Sequence, residues 1–129
     1  MKIPDFLFAS AKVLATSLML NLVSPALAGP SDVVRVTYEK TGDRQYRFRV
    51  TVEHADEGWD HCADNWQVLT PSGEVLGTRV LAHPHVDEQP FTRNLAGVTI
   101  PEGVTQVIVR SRDSVHGYGG AEITVDIKP

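Results

Sequence analysis

The chain contains a single cysteine, Cys62, and only two methionines, Met1 and Met19. One cysteine excludes an internal disulfide, so the fold must hold on its apolar core. Both methionines fall in a stretch expected to be removed. The remaining chain then has no thioether, which excludes the usual blue-copper set of two histidines, a thiolate and an axial methionine. Positive charge is also scarce: 12 basic residues face 16 acidic ones, for a net charge of −4. Arg35, Arg44, Arg47, Arg49, Arg110 and Arg112 are scattered among the extended segments rather than gathered in a run. Phosphate binding needs a positive field, so no nucleic-acid partner is expected. G-x-S-x-G, H-E-x-x-H and a phosphate-cradling glycine loop are all absent, leaving no catalytic signature to follow.

The one long apolar run, VLATSLMLNLV from Val13 to Val23, is too short to span a bilayer comfortably. Lys2 and Lys12 precede it, and SPALA follows it, with Ala26 and Ala28 in a small-x-small arrangement. This pattern predicts a cleavable signal peptide over residues 1–28, no membrane span after its removal, and a periplasmic or secreted address. Removing Lys2, Lys12 and Asp5 makes the mature chain one unit more negative. Residues 29–129 form one expected domain of about 100 residues, enough to bury roughly two-thirds of its unfolded surface.

From Val33 onward the chain alternates with period two. In QYRFRVTVEH, Tyr46, Phe48, Val50 and Val52 point one way, while Arg47, Arg49, Thr51 and Glu53 point the other. Upstream, DVVRVTYEK is expected to put Val34, Val36 and Tyr38 on one face and to pair with it through Thr41-Gly42-Asp43. NWQVLT and EVLGTRVLAH make a second expected hairpin around Pro71-Ser72-Gly73. FTRNL and GVTIP are short extended pieces, VTQVIVRSRD is another, and AEITVDIKP alternates through Ala121, Ile123, Val125 and Ile127. About seven short strands with no helical segment predict an all-β, antiparallel sandwich of the immunoglobulin or fibronectin type III kind, with a small closed barrel as the alternative.

Three irregular stretches remain: HADEGWDHCADNW, AHPHVDEQPFTR and RDSVHGYGG. All five histidines, Cys62 and both tryptophans lie in or beside them. In an immunoglobulin-like topology the first and third share one end of the sandwich, and the second is not assigned to either end. Proline disfavours the helical region for His83, so His83-Pro84-His85 is expected to be extended, with both imidazoles on one face and aimed at one ion. Three nitrogens, from this pair and His61, suit copper or zinc, and His116, beside glycines that permit a close-approaching backbone, is a further candidate. Cys62, Asp60, Asp64 and Asp113 are further candidate donors. The same residues also read as a capped loop, with Asp60 and Asp64 bonded to backbone amides and Cys62 packed as a small apolar side chain. His54, at a strand end near Glu53 and Asp56, is expected to be structural.

WDHCADNW, HPHVDEQPFTR and HGYGG together resemble segments of a group of small exported bacterial proteins of unassigned function, which implies a periplasmic address. His83-Pro84-His85 and the lone Cys62 also resemble the ligand inventory of superoxide reductases, which use an immunoglobulin-like barrel with four histidines and one cysteine. The Cys-Asn-x-His pattern of that family is missing, since Cys62 is followed by Ala63-Asp64-Asn65. The expected function is a non-catalytic metal-binding protein of the periplasm, copper ahead of zinc, using His61, His83, His85 and His116. The alternative is a metal-free module that binds an exported protein or a glycan through Trp59, Phe91, Tyr118 and Arg93. A third is a metal-dependent oxidoreductase with the same donors and one open coordination position.

Overall fold

The structure is a computed structural model that describes residues 29–128; the expected signal peptide lies outside the described residues. Seven strands follow in order: β1 (Asp32–Gly42), β2 (Gln45–Glu53), β3 (Ala63–Leu69), β4 (Val75–Val80), β5 (Phe91–Thr99), β6 (Gln106–Asp113) and β7 (Ile123–Asp126). They make two antiparallel sheets, one ordered β1-β2-β5 and the other β4-β3-β6-β7. The arrangement is an immunoglobulin/fibronectin-III-like sandwich, and no helix occurs among the described residues.

Alternation decides what each sheet turns inward. Tyr46, Phe48, Val50 and Val52 of β2 are buried and face Trp66 and Val68 of β3 and Val107 and Val109 of β6 across the core. FTRNL and GVTIP form a single strand, β5, rather than two pieces. β1 departs from the expected phase. A register shift between Val33 and Arg35 puts Val33 inside at 3% exposure and turns Val34 out at 46%. Such a bulge adds one residue to one strand, so the two valines exchange faces while Val36 and Tyr38 keep theirs.

The β2–β3, β4–β5 and β6–β7 connections meet at one end of the sandwich. His54 N–H donates to Gln89 Oε1 at 2.9 Å, His85 N–H to Asp56 Oδ2 at 2.6 Å and Ser114 N–H to the Cys62 carbonyl at 2.9 Å. The proline-containing middle segment therefore belongs to the same end as the other two. β1 joins this end as well, because Val33 N–H bonds the Ala121 carbonyl at 2.9 Å and Ala121 N–H bonds Asp32 Oδ1 at 2.7 Å.

Gly120 sits in that seam. A β-carbon there would collide with the Ser31 carbonyl, whereas one at Gly119 would meet only ordinary contacts. Gly120→Ala is therefore expected to destabilise the protein by roughly 1–3 kcal/mol, with Gly119→Ala within about 0.5 kcal/mol of wild type. Thermal or urea denaturation of the two variants side by side checks this; equal midpoints would contradict the close approach.

Candidate functional site

Two central strands carry their inward alternation one step beyond the apolar core. One residue past the end of β2, in phase with Val52, His54 turns inward, and on β6 the inward series Val107, Val109, Ser111 ends at Asp113. Because the strands belong to opposite sheets, this parity brings an imidazole and a carboxylate face to face. His54 Nε2 lies 2.9 Å from Asp113 Oδ2, and both side chains are fully buried.

Local turns add two more imidazoles. The β2–β3 loop closes on itself, with Glu57 N–H bonded to the His61 carbonyl at 2.8 Å and His61 N–H to the Gly58 carbonyl at 3.2 Å. This closure holds His61 Nε2 3.1 Å from the same Asp113 Oδ2. After β6, Asp113 and Gly117 exchange backbone hydrogen bonds, both 3.1 Å, in a turn that needs the positive φ of 68° at Gly117. Asp113 Oδ1 accepts the Val115 N–H at 3.0 Å and the His116 N–H, the Asx-type arrangement that short polar side chains favour in turns. His116 Nδ1 is thereby set 2.9 Å from Asp113 Oδ2.

Asp113 thus faces five nitrogen partners, two at Oδ1 and three at Oδ2. An ionised carboxylate offers about four lone-pair sites, two on each oxygen. Oδ2 is over-subscribed.

The far sides of two rings are fixed by carboxylates of their own. His54 Nδ1 lies 2.6 Å from Asp56 Oδ1, and His61 Nδ1 lies 2.6 Å from Glu57 Oε1. Asp56 is itself immobilised, accepting the Ala63 N–H at 3.1 Å and the His85 N–H at 2.6 Å. A carboxylate on one ring nitrogen is the arrangement that orients metal-ligating histidines, leaving the other nitrogen's lone pair for an ion.

Ligand atoms of His54, His61 and Asp113 all lie within 4.8 Å of one another. Donors around a tetrahedral zinc at bonds of 2.0–2.1 Å stand about 3.3 Å apart, close to the 2.9 and 3.1 Å contacts that the two histidines make with Asp113. Without a cation, protons hold the same positions. Burial pushes the Asp113 carboxyl up, but hydrogen bonds from His116, His61 and Val115 outweigh it and hold the group well below the ordinary carboxylate range. Burial likewise lowers His61, yet its bonds to Glu57 and Asp113 and their charges win, and its pKa is raised. The atoms that share these protons are also the ones whose spacing would suit a metal ion.

The chain is similar to a protein of Halomicrobium mukohataei. That relative is described as a "Putative lipoprotein" and is 47% identical over 96 residues, which take in 74% of this chain and 47% of the relative. The chain spans about half the length of the curated relative it matches. No family model matches it, and neither does any solved structure. No helix among the described residues is long and apolar enough to cross a membrane.

Of the residues expected as donors, His61, His116 and Asp113 converge, while His83 and His85 do not join them. The His83 ring is exposed, with Nδ1 2.9 Å from the Pro84 carbonyl oxygen, and the His85 ring is buried, stacked on Phe91 at 3.9 Å and 7°. The two rings of the pair lie tilted against each other, with centroids 4.7 Å apart and planes at 34°. Burial lowers the His85 pKa, helped by the charges of Arg93 and His83. Cys62 is buried, and burial together with Asp56 and Asp64 pushes its thiol pKa up, away from the thiolate a metal needs. Asp64 is paired with Arg112, and Asp60 is exposed on the loop, where its carbonyl accepts the Ser114 hydroxyl at 3.3 Å.

His54, expected to be structural, stands at the centre. Its signal in the sequence was its place in phase with Val50 and Val52. The alternative aromatic and arginine surface is dispersed. Phe91 is in the core, Tyr118 packs under Arg110 and bonds Asn65, Arg93 pairs with Glu88, and only Trp59, at 73% exposure, projects fully.

A buried carboxylate with depressed folded pKa stabilises the fold above the unfolded value of about 3.9 and loses that contribution as pH falls through the lower, folded value. The unfolding midpoint of metal-free protein should therefore drop steeply below about pH 4. Asp113→Ala should cost roughly 3–5 kcal/mol at neutral pH, because it leaves His54 with one partner removed in a buried site. Denaturation across a pH series measures both; a variant as stable as wild type at pH 7 would contradict the central role of this carboxylate.

Proposed function

We propose that the protein is an exported, non-catalytic metal-binding protein that holds one divalent ion, copper ahead of zinc, between His54, His61 and Asp113, with His116 alongside. The observation that carries this reading is the over-subscribed Asp113 Oδ2, approached by two Nε2 atoms whose opposite nitrogens are each held by a carboxylate. A cation among these donors would replace protons that crowd one oxygen.

The donor chemistry narrows the ion. Imidazoles with one carboxylate suit borderline divalent metals, and the Irving–Williams order puts copper(II) above zinc at such a site. No thiolate or thioether takes part, so soft copper(I) is not favoured. Export is supported by the predicted leader over residues 1–28 and by the relative's description as a lipoprotein.

Titration of chelator-treated protein with copper(II) or zinc(II), followed by calorimetry, tests the proposal. One ion should bind per chain. Glu57→Gln, altered at a side chain 61% exposed and so without harm to the core, should weaken affinity about 10–100-fold. The double variant His83→Ala/His85→Ala should bind within about threefold of Glu57-intact, otherwise wild-type protein when folded. Full-strength binding by a His54→Ala/His61→Ala variant, or none by wild type, would end the proposal.

Imidazole ligates only when neutral, so affinity should fall as pH drops below about 6.5. The raised pKa of His61 makes proton competition begin at higher pH than an ordinary histidine would. Repeating the titration between about pH 5 and 8 measures this; a flat profile would contradict imidazole ligation.

A further inference from the structure

The four side chains of the cluster are not equally enclosed. His54 and Asp113 are 0% exposed, His61 is 12% exposed and His116 is 37% exposed. An ion held here has the core behind it and solvent on the His116 side. His116 also differs in its connections. His54 and His61 are each backed by a carboxylate, whereas among the described residues the second ring nitrogen of His116 has no hydrogen-bond partner. Its ring joins the group through Asp113 and does not belong to the mutually close set of His54, His61 and Asp113.

We infer that His116 is a displaceable donor, and that an ion held by His54, His61 and Asp113 accepts an external neutral nitrogen ligand in its place. The inference rests on the metal reading above and names the ligand class that the bound ion takes. Two features favour that class. Three protein ligands with a fourth, solvent-facing position is the composition of metal sites that exchange ligands, whereas structural sites enclose four. The rim is acidic, with Glu57 and Asp60 exposed on the loop that carries His61. Their negative potential opposes the approach of an anion and leaves a neutral imidazole unhindered. An imidazole side chain of an acceptor protein has this chemistry, so the same position is a route by which the ion can leave: the incoming nitrogen bonds to the metal as the His116 nitrogen departs, with no change of oxidation state.

Copper(II)-loaded protein, freed of excess metal, is titrated with imidazole and separately with azide while the visible and electron paramagnetic resonance spectra are recorded and retained metal is measured after filtration. Imidazole should shift the spectra while one copper per chain is retained, and azide at equal concentration should shift them at least tenfold less effectively. His116→Ala, altered at an exposed turn residue, should weaken copper binding less than His54→Ala does and bind imidazole at least tenfold more tightly than wild type. The inference is overturned if loaded wild type shows no imidazole-dependent shift, if azide acts as strongly as imidazole, or if folded His116→Ala loses copper as completely as His54→Ala. Failure of the metal reading itself is seen separately, as absence of copper from wild type before any imidazole is added, and it removes this inference too.

Discussion

The carboxylate of Asp113 is the constraint on which the loop end depends. It lies at the last inward position of β6, where continuation of the Val107–Val109 pattern would call for another apolar side chain. A charge in that place is unfavourable unless it is paired and hydrogen-bonded. The surrounding chain meets that requirement with the turn closed by Gly117, the inward His54 just past β2 and the closed β2–β3 loop. Buried ion clusters of this kind are seldom the most stable solution, since well-packed apolar residues of similar volume often do as well or better.

Asp56 plays the complementary part from the other side. One of its oxygens meets the His54 ring and the Ala63 amide, and the other accepts the His85 amide. A single side chain thus orients a central imidazole, fixes the start of β3 and ties in the β4–β5 connection. The histidine-proline-histidine segment is explained by this role: its backbone, not its rings, completes the site, and the His85 ring is stacked on Phe91. His83 Nδ1 lies against the Pro84 carbonyl and the His85 ring is buried flat on Phe91, which is why the His83-Pro84-His85 pair did not produce a chelate.

Much of the scaffold was legible because strand periodicity is a local property. Tyr46, Phe48, Val50 and Val52 all fall inside, and the hairpins close at the turns that Gly42 and Gly73 mark. Val33 and Val34 were misassigned because a bulge changes parity without leaving a mark in composition. His54 and Asp113 were underrated for the opposite reason. Their parity was readable, but each looked like an ordinary polar residue at a strand end, and nothing local says that two such ends lie opposite each other.

The sequence by itself determined the all-β class, the inward and outward faces of most strands, and the confinement of histidines to three connections, because alternation and turn chemistry act between residues close along the chain. Tertiary structure alone decided which of those histidines meet. The convergence of His54, His61 and His116 on Asp113 joins residues separated by up to 59 positions through the stacking of two sheets, and the hydrogen bonds and charges that select it exist only after the core has brought those strand ends within about 3 Å of contact.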